Sequence, residues 1–487
     1  MFEIFTISHA LNFIYVITFL IALTIIFLER KEPSATLAWL LVLFMLPGFG
    51  ILLYFFCSQN ISRQRIFRLT NYEHIAVSSA LQEQIRQLRE KEFLFCNTAE
   101  QKWQDMILLN QHCGHAYFTQ NNQVDIYTDG LHKFEALLRD ISQAEESINI
   151  MYFIVKNDTL GRTLIRALTK KAQEGVTVRF LIDALGSRQL HDSLLKDFKK
   201  AGGKFAWFFP PRFQILKYFN SKLNYRNHRK LVIIDGKIGY IGGYNVGNEY
   251  LGKSKKFGNW RDTHLRITGD AVRDINARFI LDWRLSSGEE LHLSSAYYVN
   301  VPRSGTAGIQ IVSSGPDSNR EKIKHSYLKM ISSAKKTLFI QTPYFVPDSG
   351  FIEALRNAIY SGVDVRIMIP CMPDHMFVYW ATYSYVGELL EIGARIFIYN
   401  NGFLHAKTMC ADGEVASVGS SNFDIRSFRL NFEANAFLYD EKEARKLEEI
   451  FLSDMTHCTE LTWELYQNRS FTIKFKESVS RLLSDLL

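Results

Sequence analysis

The sequence predicts an α/β protein built from two duplicated halves that share one site, preceded by an apolar helical hairpin. Three observations carry this prediction. A strand–helix–strand segment occurs twice, a His-Lys-Asp pattern occurs once in each copy, and two apolar runs open the 487-residue chain. The hydrophobic content of 47% supports large cores, and the length suggests roughly two to four domains. A net charge of +7 suits anionic phosphate partners, either nucleic acid or lipid headgroups. The six cysteines, at 57, 96, 113, 371, 410 and 458, are scattered without a Cys-x-x-Cys and read as reduced, mostly buried small hydrophobes.

Residues 1–57 read as a transmembrane hairpin anchor. Ala10 to Leu28 is almost unbroken apolar sequence, and Thr36 to Cys57 is a second such run, interrupted by Pro47-Gly48-Phe49-Gly50. Each is long enough to cross a bilayer, and Pro47 and Gly48 are placed to kink the second helix or make it re-entrant. A cleaved signal peptide fits poorly, because Met1 to Ser8 carries no Lys or Arg and no small-residue cleavage site follows. Two spans put the N-terminus and the main body on one side of the membrane. Arg30 and Lys31 in the short loop are outweighed by Arg63, Arg65 and Arg68 beyond the second run, which favours a cytoplasmic body. Unpaired cysteines agree. Residues 58–120 read as a helical connector, with Ile66, Leu69, Leu81, Ile85 and Leu88 recurring among charges. The amphipathic pattern suits either a membrane surface or packing on the body.

The two halves are read as 121–300 and 301–487. Val124–Tyr127 resembles Ile309–Val312, and Ser147–Ile150 resembles Thr337–Ile340. In each copy a helical stretch and a glycine then precede a β-branched run, Gly175–Ile182 and Gly362–Ile369. Strands alternating with helices argue for an α/β sheet in each half. The first half carries an insertion, Pro210–Asn220, in which aromatic and basic residues interleave. That pattern suits anionic lipid or a single-stranded nucleic-acid groove, and the apolar N-terminus favours lipid. Phe471–Leu487 alternates basic and apolar residues, as an amphipathic helix does, and is assigned no function.

The chemistry lies in the repeated motif. His228-Arg-Lys230 leads into Leu231–Ile234 and Asp235, then Gly242 and Asn245; His405-Ala-Lys407 leads into Thr408–Ala411 and Asp412, then Gly419 and Asn422. Lys follows His by two positions, Asp by seven, Gly by fourteen and Asn by seventeen in both copies. Leu231–Ile234 reads as a buried strand. On a strand, residues two apart share a face, so each His projects with its Lys. A lysine supplies a point charge for phosphate oxygens, and a histidine can attack or move a proton near neutral pH. One copy alone would pass for a satisfied histidine near a strand end; two with shared offsets do not. Asp235 and Asp412 fall at the far end of the strand and read as braces.

Two other patterns are set aside. His112-Cys113-Gly114-His115 resembles part of a zinc site but lacks a second cluster at matching spacing. Gly247–Ser254 satisfies the phosphate-loop pattern, yet the sequence from Lys253 to Trp260 is not the apolar helix an NTPase needs.

In carrying both motifs, the chain resembles the phospholipase D superfamily. The words Phe257–His264, Gln341–Asp348 and Asp424–Glu433 narrow the resemblance to bacterial cardiolipin synthases, and it covers nearly the whole chain. The resemblance implies two phospholipase D-like α/β sandwich domains forming one pseudo-twofold site. It implies metal-independent chemistry without a cofactor, and transfer of a phosphatidyl group from one phosphatidylglycerol to another, giving cardiolipin and glycerol. It also implies that the histidine of the first motif, His228, is the nucleophile, leaving His405 as acid and base. Lys230, Lys407, Asn245 and Asn422 would cradle phosphate oxygens, and Ser420 could add a hydroxyl donor. A nucleophilic histidine needs a carboxylate on its other nitrogen. Asp262, 34 residues after His228, and Glu433, 28 after His405, are assigned that orienting role. The expected partners are phosphatidylglycerol and other anionic lipids of the bacterial cell membrane, without nucleic acid; nothing fixes an oligomeric state. The alternatives are a hydrolase releasing phosphatidic acid, a nucleic-acid phosphodiesterase, and a non-enzymatic membrane scaffold.

Overall fold

A computed structural model describes residues 2–29, 33–46, 48–57, 66, 67, 69–209, 225–296, 299–301 and 303–484. The insertion 210–220 lies outside them, apart from its flanks.

In the N-terminal part, helix Phe2–Thr24 runs into a short π-helical segment, Ile25–Glu29. The second apolar run is two helices, Pro33–Met45 and Phe49–Cys57. They part where Gly48 takes φ +87°, a conformation only glycine adopts freely. Ile25, Leu43 and Tyr54 meet as a small core, and Trp39 packs edge-on against Tyr54 at 5.3 Å. Much of the remaining apolar surface, including Phe13, Phe27, Leu37 and Met45, is exposed. Among the described residues no helix is long and apolar enough to cross a membrane, and the second apolar run is broken at Gly48, next to Pro47, where the sequence placed a kink.

The main body is organised on one 16-stranded sheet, of which fifteen strands form a continuous path and the sixteenth, Arg226–Asn227, pairs off it with the strand Asn431–Tyr439. Its first-half strands are β1 (Phe118–Tyr127), β2 (Ser147–Tyr152), β3 (Thr177–Asp183), β4 (Lys204–Phe208), β5 (Leu231–Ile234), β6 (Ile238–Gly242) and β7 (His264–Thr268). The second-half strands are β8 (Ala307–Ser314), β9 (Thr337–Gln341), β10 (Asp364–Pro370), β11 (Arg395–Tyr399), β12 (Thr408–Ala411), β13 (Val415–Gly419), β14 (Asn431–Tyr439) and β15 (Cys458–Leu461). The order across the sheet is β15-β11-β10-β9-β12-β13-β14-β8-β1-β7-β6-β5-β2-β3-β4. Read outward from the antiparallel β8–β1 seam, both halves have the same order, and β15 is an addition to the second. The duplication read from the sequence is therefore a duplication of topology.

The halves are not two separate sheets laid face to face. The first residues of β1 pair with β8 and the last five with β7, so one strand belongs to both halves. Across the seam Gln310 donates to the carbonyls of Ile107 and Ala116, satisfying buried polar groups that would otherwise be costly. The connector holds helices Asn71–Arg89, Thr98–Lys102 and Gln104–Gly114, and β1 begins at Phe118, inside the range read as connector. Leu88, Trp103, Met106 and Ile107 sit in the same core as second-half residues such as Leu338 and Ile367, so this amphipathic stretch packs on the body. His112 is engaged locally, its Nδ1 2.7 Å from the Leu108 carbonyl and its Nε2 2.9 Å from Arg89. After Gly247 the chain makes a short 3₁₀ turn, Asn248–Leu251, and no α-helix starts at Lys253.

Candidate active site

Two short parallel ladders build the site, and each joins the halves. Arg226–Asn227 pairs with Asn431–Phe432, and the next residues on the two strands are His228 and Glu433. Phe403–Leu404 pairs with Trp260–Arg261, and the next residues are His405 and Asp262. The His228 amide donates to the Phe432 carbonyl at 2.9 Å, and the His405 amide to the Arg261 carbonyl at 2.7 Å. Each motif histidine is thus hung on the other half immediately before its strand begins.

The orienting carboxylates follow the same crossing. His228 Nδ1 lies 3.0 and 3.1 Å from the Glu433 carboxylate oxygens and 3.1 Å from the Ser420 carbonyl. His405 Nδ1 lies 2.6 Å from Asp262 Oδ2. The spacing in sequence had associated each carboxylate with the histidine of its own half; the structure pairs them the other way. Both carboxylates are wholly buried, and the histidines are 9% and 7% exposed. A carboxylate on Nδ1 keeps the proton there and leaves Nε2 free to attack or to carry a proton.

Electrostatics follows from burial. Burial pushes the His228 imidazole below its ordinary basicity, against the opposing pull of Glu433. It pushes His405 down to about 4, with the Lys407 ammonium helping and Asp262 opposing. Lys407 Nζ stands 2.8 Å from His405 Nδ1. Burial brings Lys230 down to about 7 and Lys407 to about 8. Burial raises both carboxyls, but neighbouring basic groups more than reverse this, through charge and hydrogen bonding: His228 and Lys230 for Glu433, Lys407 and His405 for Asp262. Both end below the usual range. Each lysine ammonium donates to the carbonyl of its own motif histidine, in the extended segment just before the strand begins. Two lysine ammoniums balance the two carboxylates, so a bound phosphodiester anion is compensated when one of the two imidazoles takes up a proton.

The other expected residues divide. Asn245 accepts from the Ile154 amide at 3.1 Å. Asn422 is buried, and its Oδ1 has no partner among the described residues. The Ser420 hydroxyl bonds Glu433 Oε2 and accepts from the Ala434 amide at 3.0 Å. It therefore supports the orienting carboxylate, where the sequence had suggested a donor to phosphate. Its first-half counterpart is Gly243, where an added Cβ would meet Asp262 Oδ1 at 2.0 Å. The asymmetry is thus a matter of room, since one carboxylate fills the space that the other shares with a hydroxyl.

Asp235 and Asp412 are not in the cluster. At about 3.3 Å per residue, strand β5 sets Asp235 roughly 16 Å from Lys230. Asp235 accepts from the amides of Glu145, Glu146 and Ser147 at 2.8–2.9 Å. Asp412 does the same with Lys335, Lys336 and Thr337 at 2.7–3.0 Å. Each residue sits at positive φ, 52° and 55°, a conformation that Asp tolerates better than most. They clamp the start of the neighbouring strand, at the bracing position their spacing suggested, and neither lies among the His, Lys and carboxylate side chains of the cluster.

Two arginines escaped the sequence reading. Arg229, between His228 and Lys230, is buried, pairs with Asp282 at 3.0 Å and donates to the Glu433 carbonyl at 3.1 Å. Arg261 pairs with Asp454 and donates to the Asp262 carbonyl. Each fixes the backbone of one orienting carboxylate. Two buried polar side chains in the first half add to this layer: Lys133 donates to the Tyr152 hydroxyl at 2.8 Å, and His264 is fully enclosed. Among the described residues no three His, Cys, Asp or Glu side chains converge as a metal site.

The comparisons agree with this architecture. A family model described as "Cardiolipin synthase, PLD-like domain" matches residues 137–268 and 327–455, and "Phospholipase D-nuclease N-terminal" matches 16–59. The cardiolipin synthase of Listeria innocua is 49% identical over 481 residues, covering 99% of both chains. The major cardiolipin synthase ClsA of Bacillus subtilis is 50% identical over 481 residues, again with 99% of each covered. The crystal structure of a phosphatidylserine synthase from Haemophilus influenzae superposes with a TM-score of 0.60 at 14% identity. It covers 80% of this chain and 100% of that one, a likeness of fold. The full-length identity and the duplicated fold place the chain in the cardiolipin synthase family, with phospholipase D-like domains.

Proposed function

We propose that the protein makes cardiolipin from two molecules of phosphatidylglycerol at this joint site. His228 Nε2 attacks the phosphorus of the first molecule. The N–P bond forms as the bond to the headgroup glycerol oxygen breaks, and His405, protonated for this step, gives its proton to the departing oxygen. A hydroxyl of the second phosphatidylglycerol then attacks phosphorus, passing its proton to His405, and the N–P bond breaks. Lys230, Lys407, Asn245 and Asn422 hold the non-bridging oxygens as charge builds. The covalent intermediate retains the phosphodiester's free energy, so no nucleotide enters the balance. The observation that carries this reading is the crosswise pair of His–carboxylate contacts at the ends of two matched ladders.

We also infer that the apolar N-terminal helices lie in the bacterial cell membrane as the hairpin read from the sequence, with the body on the cytoplasmic side. The exposed Phe13, Phe27, Leu37 and Met45 support this placement, as do the arginines at 63, 65 and 68.

The test uses the full chain in vesicles containing headgroup-labelled phosphatidylglycerol, with chelator and without nucleotide. Cardiolipin and glycerol should appear in equal amounts, and both should be lost in His228→Ala and in His405→Ala. Phosphatidic acid as the main product would make the protein a hydrolase. Turnover surviving both substitutions would reject the two-histidine site.

A further inference from the structure

The helix Phe471–Leu482 is amphipathic in the wrong sense for a helix that merely completes a fold. The side chains it buries are polar, Glu477 and Ser480, followed by Ser484. Glu477 takes a hydrogen bond from Arg469 at 2.8 Å, Ser484 one from Tyr385 at 3.1 Å, and Arg481 pairs with Glu388 at 2.6 Å. The side chains turned outward are Phe471, Phe475 and Leu482, which are 82%, 59% and 85% exposed. At about 100° per residue these three fall within roughly 40° of one line along the helix. An ordinary surface helix would bury this stripe and show the serines.

The surface continues onto neighbouring elements. The helix packs against Met376–Glu391, whose first residues Met376 and Phe377 are exposed. One turn on, Lys476 Nζ lies 5.2 Å over the ring of Trp380. The short helix Trp463–Gln467 adds exposed Leu465. Charge decides what fits. Lys474 and Lys476 are exposed, and the only acidic residue in 471–482, Glu477, is buried against Arg469. An apolar stripe with lysines beside it and tryptophans near it matches an anionic bilayer surface, where the rings and ammonium groups meet headgroups and the stripe meets acyl chains.

We propose that Phe471–Leu482 is an interfacial membrane-binding helix that lays Phe471, Phe475 and Leu482 into an anionic phospholipid surface, as an attachment separate from the N-terminal helices. Hydrogen exchange of the full chain in nanodiscs tests this. The amides of 471–482 should exchange about tenfold more slowly in phosphatidylglycerol discs than in phosphatidylcholine discs. The difference should vanish in F471S/F475S/L482S, while strand 431–439 stays protected. If that variant unfolds, K474E/K476E should abolish the same difference. Equal rates in the two discs for the parent, or slowing that survives these substitutions, would overturn the proposal. Exchange is read without turnover, so the result in a His228→Ala background should be the same, which separates this proposal from the catalytic one.

Discussion

His228 and His405 keep less than a tenth of their surface exposed, and burial makes both imidazoles weakly basic. A neutral imidazole with its proton held on Nδ1 is the form that can attack phosphorus, so the low basicity of His228 serves the first step, whereas His405 has to take up its proton together with the anionic phosphate. The same burial leaves Lys230 and Lys407 with pKa values of about 7 and 8 in the free protein. The sign of the pH dependence follows: as pH rises through 7 to 8 the ammonium groups lose protons and the phosphate cradle loses charge. The profile of kcat/KM, which reports the free enzyme, should fall on the alkaline side from that range. In Lys230→Arg, whatever activity survives should keep its alkaline limb at higher pH, set then by Lys407 at about 8, because guanidinium stays charged. Replacing an orienting carboxylate by its amide, as in Glu433→Gln or Asp262→Asn, should lower kcat by roughly 10²- to 10⁴-fold while leaving the protein folded, since the amide can hold the wrong tautomer. Gly243→Ser should be as damaging as Asp262→Asn, because its Cβ would meet Asp262 Oδ1 at 2.0 Å. Steady-state kinetics together with melting curves would check each of these.

The unit of construction at the next scale is a two-residue ladder ending in a histidine on one strand and a carboxylate on the other. The sequence made the motif histidines, lysines and both carboxylates legible, because four offsets repeat and the carboxylates stand in recognisable words. It did not make the crossing legible. His228 and Glu433 are 205 residues apart, and His405 and Asp262 are 143 apart. Only the pairing of strands from opposite halves brings them together, whereas linear spacing suggested the nearer partner. Ser420 was misread for a related reason: the Gly-to-Ser change is visible in sequence, but the carboxylate it supports arrives from another strand. The motif aspartates illustrate what spacing does predict. Seven residues beyond His, across a four-residue strand, each lies at the far end and closes three amide hydrogen bonds. Asp235→Ala or Asp412→Ala should cost about 2–4 kcal/mol of stability through those bonds and the positive φ. Activity per folded molecule should fall less than about tenfold, far less than for loss of a histidine. Denaturation midpoints set beside kcat would separate the two roles.

At the scale of the whole molecule, β1 and β8 fuse the halves into a continuous sheet, so the site is assembled within one chain from elements on both sides of the seam. The repeat in the sequence foretold two α/β halves; the shared strand was hidden, because β1 reads as one ordinary strand and its change of partner follows a register shift between Thr119 and Asn122. In the N-terminal apolar runs the break at Pro47-Gly48 was legible, and Gly48 does turn the second run into two helices. Deleting residues 1–57 should lower turnover of phosphatidylglycerol in vesicles at least about tenfold while leaving cleavage of a water-soluble phosphodiester within about threefold of the parent, because the deletion removes the proposed N-terminal anchor, leaves 471–482 as the remaining attachment and takes none of the site. Equal loss of both activities would show instead that the segment supports the body.

The central claim is that His228, held by Glu433 from the opposite half, carries the phosphatidyl group between two lipids. The most direct measurement is mass spectrometry of protein quenched during turnover of phosphatidylglycerol. A phosphatidyl adduct should form on His228, absent in His228→Ala and reduced in Glu433→Gln. An adduct on His405, or undiminished turnover in His228→Ala, would contradict it.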